Sequence, residues 1–225
     1  MRISVVMPVL NEARLVRAAV DRLQPLRKMG HELIVVDGGS SDGTPELAQL
    51  GSDLVVCTGR GRGTQLARGA EASTGDLLLF VHVDTLLPDL KRLHALAQSG
   101  VWSGGWGFHA LRLDGRGAVF RCIERAVSWR SRWTGIGTGD QAIFVDRGLY
   151  QRAGGFAAIP LMEDIELCKR LRRRVRPHWV ADPVVTSSRR WESRGVARTV
   201  VLMWAVRFAY WCGASPERLS RWYAA

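Results

Sequence analysis

Acids placed where a β-strand would end are the residues of this chain best suited to chemistry. The apolar run Leu77–Val81 delivers His82-Val83-Asp84. In an extended chain residues 82 and 84 point to the same side. A carboxylate at that edge can bind Mg²⁺ or Mn²⁺, with phosphate oxygens and water filling the remaining positions. His82 would contact a ribose or support the ion. Asp84 could instead cap a following helix, but so apolar a strand before it favours the ligand edge. A second acidic cluster, Met162-Glu163-Asp164-Ile165-Glu166, offers a base able to take a proton from an acceptor hydroxyl. Acids in the first turn of a helix also simply favour its macrodipole.

Four further segments carry polar groups beside glycines or strand ends. In Pro8-Val9-Leu10-Asn11-Glu12 the polar pair either meets a ligand or caps the next helix through Asn11, and capping is the better reading of that segment alone. In Val35–Thr44, Asp37 follows a buried strand and precedes two glycines. Its carboxylate can accept hydrogen bonds from a base or ribose; an ordinary turn rich in Gly, Ser and Asp is the competing account. Gly59-Arg60-Gly61-Arg62-Gly63 opens a helix without dinucleotide or P-loop spacing. Amides at a helix start plus arginines favour a diphosphate, and a surface loop is the alternative. Gly135–Gln141 is too glycine-rich for a core helix. It suits close backbone approach to a substrate, or a plain loop.

The elements that must position these groups alternate. Strands are predicted at Ile3–Met7, Glu32–Val36, Asp53–Cys57 and Asp76–Val83, and helices at Asn11–Leu26, Thr44–Leu50 and Thr64–Ser73. Such alternation implies right-handed βαβ units and a parallel sheet, with ligands at the carboxyl ends of the strands. Pro8–Glu12, Asp37–Asp42 and His82–Asp84 should therefore converge on one edge. The second half is less regular. It reads as strands at Gly104–Leu113, Ala142–Val145 and Val180–Thr186, and helices at Val119–Arg130, Met162–Arg174 and Val196–Trp211.

The 225 residues carry a net charge of +11. Residues 165–225 hold 13 Lys/Arg against 4 Asp/Glu, a net +9 that leaves +2 for the rest. A basic region of this kind faces nucleic acid, an anionic membrane or a phosphorylated substrate, or is a solvated arginine-rich surface. Nucleic-acid binding has only charge in its favour, for no helix-turn-helix or aromatic-basic motif accompanies it. Cys57, Cys122, Cys168 and Cys212 form no Cys-x-x-Cys pair and read as small buried hydrophobes in a reducing compartment. Arg2 leads straight into Ile3–Met7, too short an apolar run for a secretion signal. A cytoplasmic protein is expected.

In order and spacing, Pro8–Glu12, Val35–Thr44, Gly59–Ala70, Gly75–Pro88, Gly137–Val145, Gly154-Gly155-Phe156 and Met162–Leu167 resemble family 2 glycosyltransferases. Thr134–Val145, Leu161–Leu167 and Ser187–Trp191 look like a bacterial subgroup called selenium-domain-associated transferases, as does the tail through Tyr210-Trp211 and Arg221-Trp222-Tyr223. The resemblance implies an α/β GT-A fold, a Rossmann-like, mostly parallel sheet flanked by helices, with a C-terminal apolar helical tail. Residues 1–190 would form the transferase domain: 1–100 for the nucleotide-sugar and 101–190 for the acceptor. Residues 191–225 would pack on the domain, a partner subunit or the membrane.

The same resemblance implies residue roles. Pro8, Asn11, Glu12 and Asp37 would line the nucleoside pocket, and Arg60, Arg62, Gln65 and His82 would lie near the donor. Asp84 matches the last acid of the family's Asp-x-Asp metal motif, whose first acid is here His82. Asp164 matches the catalytic base of inverting members, preceded by Glu163. Gly139, Asp140 and Gln141 would face the acceptor, and Arg190 and Trp191 would hold the acceptor or the leaving diphosphate. Asp37-Gly38-Gly39-Ser40 departs from the usual Asp-Asp-Gly-Ser, so a UDP- and a GDP-sugar both stay open. The expected activity is a metal-dependent, inverting hexosyl transfer using Mn²⁺ or Mg²⁺. The alternatives are a nucleotide-sugar-binding protein without turnover and a nucleotidyltransferase.

The stretch Thr199–Cys212 is apolar on most sides yet contains Arg207 and falls short of the roughly 20 residues of a membrane span. It suits packing within the protein or a homodimer, or an interfacial helix at the inner face of the membrane.

Overall fold

The computed structural model describes residues 1–224, with the side chains of Arg190, Ser193, Arg194 and Ala224 outside the described set. The first half runs β1 (Ile3–Val9), α1 (Ala13–Lys28), β2 (Glu32–Asp37), α2 (Thr44–Gln49), β3 (Leu54–Cys57), α3 (Arg62–Ala72), β4 (Leu77–Phe80) and α4 (Leu90–Gln98). The second half runs β5 (Trp106–Leu113), α5 (Ala118–Thr134), a 3₁₀ turn at Gly139–Gln141, β6 (Phe144–Asp146), α6 (Arg147–Arg152), α7 (Glu163–Arg172), β7 (His178–Thr186), α8 (Arg189–Arg194), α9 (Val196–Trp211) and α10 (Pro216–Ala224).

The strands form one seven-stranded sheet in the order β3-β2-β1-β4-β6-β5-β7. The first four are parallel, and β6 runs antiparallel to both β4 and β5. Helices cover both faces, so the central strands read as unbroken apolar runs. Ile3, Val5, Met7 and Val9 of β1 pack into one core layer, while Val6 joins Ile34, Val36 and Phe80 in the other. This is the two-residue period of a strand. Helix α3 approaches the second layer closely at Gly69, where a Cβ would sit 2.4 Å from Val6 Cγ1 and 2.7 Å from Val36 Cγ2.

Several elements depart from expectation. β4 stops at Phe80, and His82–Asp84 is a turn rather than extended chain, closed by a Thr85 N–H bond to His82 O at 3.0 Å. Asp84 caps nothing, because Asp89 caps α4 by accepting from Lys91 and Arg92 N–H. Only Cys168 is buried; Cys57, Cys122 and Cys212 are exposed. Helices α4, α6, α8 and α10 are not among the expected elements, although α4 and α10 are amphipathic.

The tail packs on the body. Val206 of α9 and Leu219 of α10 are buried against Met162 and Ile165 beside α7. The opposite side of α9 exposes Val201, Trp204, Phe208 and Trp211, each between 64% and 76%. Among the described residues no helix is long and apolar enough to cross a membrane.

Candidate active site

At the carboxyl ends of β1 and β4 a cavity of about 830 Å³ opens. Its walls come from both halves of the chain. Pro8 lies near the end of β1 and Glu12 follows it, Arg62 and Gln65 belong to α3, and His82 and Asp84 follow β4. Gly139 and Asp140 come from the 3₁₀ turn, Glu163 and Asp164 from the start of α7, and Trp191 and Arg207 from the tail. Asn11, Asp37, Arg60 and Gln141 do not line it. The side chain of Arg190 lies outside the described residues.

The β1 and β2 loops brace each other. Asn11 does not cap α1; its Oδ1 accepts from Ser41 N–H at 3.0 Å. The start of α1 is instead satisfied from across the gap, where Asp42 accepts from Ala13 N–H at 3.0 Å and Thr44 Oγ1 accepts from Glu12 N–H at 2.8 Å. Asp37 is buried and accepts from Gly39 and Ser40 N–H at 2.9 Å each and from Ser40 Oγ at 2.5 Å. Its carboxylate thus shapes the turn. Gln65 reaches the cavity wall, but its Nε2 donates to Val9 O and Val36 O at 2.8 Å each, tying two strand ends together.

Asp84 stands in the β4 turn with the Arg189 guanidinium 3.7 Å away. Glu12 lies in the same field. Burial raises its pKa, Arg189 opposes this, and the charges of Asp84 and Asp42 add to it. On the other side, Asp164 Oδ2 accepts from Gly139 N–H at 2.8 Å and Oδ1 from Ile165 N–H at 2.7 Å. Gly139 is where the two sides meet. A Cβ there would sit 2.8 Å from His82 Nε2 and 3.8 Å from Asp164 Oδ2.

Glu163 is buried, with Arg62 Nε at 3.8 Å. Burial, reinforced by the charge of Asp164, pushes its pKa up to about 7. Asp140 accepts from Thr138 Oγ1, and burial raises its pKa as well. Gln141 is fully buried; it accepts from Ser131 Oγ at 2.9 Å and donates to His109 O at 3.0 Å. It anchors the 3₁₀ turn rather than facing the cavity.

Among the described residues, three non-glycine positions adopt positive φ, Asn11 (+52°), Ala142 (+45°) and Met162 (+69°). Each adjoins or lies within two residues of a cavity-lining position: Glu12, Asp140 and Glu163. Such conformations cost on the order of 1 kcal/mol or more and persist where the surrounding fold imposes them.

Arg189 and Arg207 line the cavity without a role expected from the sequence, whose motif singles out Arg190 beside Arg189. Arg207 carries a usable signal, since a charge within an apolar helix needs a polar surrounding. Arg130 of α5 does not line the cavity; burial, with Arg207's like charge, pushes its pKa down to about 10.

The acids fit one kind of metal site. Among the described residues no three His, Cys, Asp or Glu side chains group as a metal cage. Asp84 offers a carboxylate at the strand edge, with Glu12 lining the same cavity. That matches a divalent ion held by one carboxylate and completed by phosphate oxygens and water, as Mg²⁺ sites often are.

Residues 4–100 match the model of glycosyl transferase family 2. Glucosyl-3-phosphoglycerate synthase of Mycolicibacterium smegmatis is 37% identical over 97 residues, 39% of this chain and 32% of that protein. The chain thus spans about a third of the length of the curated relatives it matches first. Among solved structures, a Pyrobaculum calidifontis mannosyltransferase in complex with GDP-Man and Mn²⁺ superposes with a TM-score of 0.62 at 24% identity, over 83% of this chain and 56% of that one. The Mycobacterium tuberculosis glucosyl-3-phosphoglycerate synthase with Mn²⁺, UDP-glucose and phosphoglyceric acid gives 0.57 at 23%, over 81% and 70%. The architecture is that of the GT-A fold.

Proposed function

We propose that this chain, whose residues 4–100 belong to glycosyl transferase family 2, moves a hexose from a nucleoside-diphosphate donor to an acceptor nucleophile with inversion. One observation carries the reading: Asp84 and Asp164, eighty residues apart in sequence, line a single cavity with Arg62, Arg189 and Arg207. Its volume falls within the range of small-molecule sites. Structural neighbours solved with GDP-Man and Mn²⁺ or with UDP-glucose and Mn²⁺ support a nucleotide-sugar donor.

The roles follow from position. Pro8 and Glu12 flank the donor side, and the strand ends tied by Gln65 give it a rigid floor. Arg189, beside Asp84, and Arg62, at the start of α3, orient the diphosphate by charge-assisted hydrogen bonds. A divalent ion, Mn²⁺ or Mg²⁺, held by Asp84 and the donor phosphates would neutralise charge on the leaving group. Asp164, fixed by Gly139 N–H, takes the proton from the acceptor hydroxyl. The acceptor oxygen bonds to the anomeric carbon as the carbon–phosphate-oxygen bond breaks, and that electron pair leaves with the diphosphate. The sugar passes through oxocarbenium character, as in glycoside hydrolysis.

The exposed stripe Val201, Trp204, Phe208 and Trp211 on α9, beside the basic C-terminal region, favours peripheral contact with an anionic membrane over a soluble existence alone. Flotation with anionic and neutral vesicles tests that part. Protein that floats with neither, or that dimerises through this face instead, refutes it.

Thermal-shift measurements with UDP-, GDP- and dTDP-sugars, with and without Mn²⁺, test the donor reading. A metal-dependent rise with one nucleotide class is expected, followed by transfer that stops in D164N. No response to any nucleotide-sugar would end the proposal.

A further inference from the structure

Arg207 and Arg130, both within the field of Asp164, stand apart from the arginines assigned to the donor diphosphate. Arg207, in the middle of the apolar α9, lines the wall. Arg130, from α5, does not line it; its Nε is buried and without a hydrogen-bond partner, while Nη2 donates to Ser131 Oγ at 2.9 Å. Asp140 and Asp164 are near enough to act on both electrostatically. Yet among the described residues neither arginine forms an ion pair. Arginines elsewhere close onto their acids, Arg27 on Asp53 at 2.6 Å and Arg68 on Glu71 at 2.8 Å. Here Asp164 is committed to Gly139 N–H and Asp140 to Thr138. Keeping two like charges together half-buried is costly unless something of opposite charge completes them. Burial lowers the pKa of both, and the charges of Asp140 and Asp164 offset this only in part.

We propose that Arg207, backed by Arg130, receives an anionic group of the acceptor, a phosphate monoester, and so presents the acceptor's nucleophile to Asp164. This rests on the glycosyltransferase reading of the cavity. The Arg207 guanidinium offers a phosphate forked donors that an ammonium lacks, and the nearby charge of Arg130 adds to the attraction. The phosphate could belong to a soluble metabolite or to a lipid.

Calorimetric titration of inorganic phosphate into protein saturated with UDP or GDP and Mn²⁺ is the test, on wild type, R207Q and R207K. Wild type is expected to bind. R207Q should weaken phosphate by about tenfold or more, the loss of one charged hydrogen bond, and R207K should recover part of it. Nucleotide affinity should stay equal in all three, which also shows that the variants fold. Equal phosphate affinity in wild type and R207Q, with nucleotide bound, would overturn the inference. Phosphate binding that depends on Arg207 in a protein with no nucleotide affinity would sink the transferase reading and leave the anion site standing. Glycerol 3-phosphate and decyl phosphate separate the sources. Tighter decyl phosphate assigns a lipid and equal affinity a soluble ester, and both support the site; Arg207-independent binding of both argues against it.

Discussion

Glu163 should make the protein less stable as the solution turns from mildly acidic to neutral. Its side chain is only 5% exposed, and its pKa lies near 7 rather than the ordinary 4.5. The folded state therefore holds a proton that the unfolded state has already released between those two values. Stability falls as pH rises wherever the folded state binds more protons. The loss begins near pH 4.5 and is complete above pH 7. At about 1.4 kcal/mol per pKa unit, the shift corresponds to about 3 kcal/mol, a large share of a domain's net stability. Arg62, 3.8 Å away and 45% exposed, offsets little of it. Glu163→Gln keeps the shape and removes the titration. Urea unfolding of both proteins at pH 5, 6, 7 and 8 should give E163Q a growing advantage, nearly absent at pH 5 and largest at pH 8. Other shifted groups, such as Glu12 and His31, are common to both proteins and cancel in the difference. Parallel stability curves would show that Glu163 is ionised throughout, and the electrostatic account of the α7 start would fail.

Other substitutions separate chemistry from architecture. D164N should keep nucleotide affinity but lower transfer by roughly 10²- to 10⁴-fold, the usual contribution of a general base; transfer at the parent rate removes the assignment. D84A should abolish the Mn²⁺-dependent part of donor affinity while leaving the melting temperature unchanged in the absence of metal. G139A places a methyl 2.8 Å from His82 Nε2, so turnover should drop at little cost in stability, and an unaltered rate would mean that this contact is unimportant. G69A drives a methyl against Val6 and Val36 and should cost about 1–3 kcal/mol by overpacking, as read from the urea midpoint.

What could be read from the sequence followed from periodicity and burial. The strands β1 to β4 and the intervening helices are continuous apolar runs or amphipathic stretches, and their alternation fixed a sheet edge on which Glu12 and Asp84 meet. Helix α9 was read to its bounds, Val196–Trp211. Individual side chains were harder. Asp37, Asn11 and Gln141 are polar residues in the right loops, but the backbone consumes their hydrogen bonds. A linear pattern cannot tell a polar group that shapes a loop from one that serves a ligand, since both need the same residue types. The extended His82-Val83-Asp84 failed for a related reason: strand propensity does not show where a turn begins.

The arginines make the deeper point about this molecule. Arg62, Arg189 and Arg207 reach the cavity from three separate helices, and the two that pair with acids do so loosely, at 3.7 and 3.8 Å. Tight pairs would leave little charge for a substrate, and no acids at all would leave strongly repelling cations in a half-buried space. Loose pairing holds the guanidiniums in place while leaving their donors open to phosphate. The tail supplies Trp191 and Arg207 to that wall, so the acidic strand edge laid down by the first hundred residues acquires part of its positive complement only when the end of the chain folds back over it.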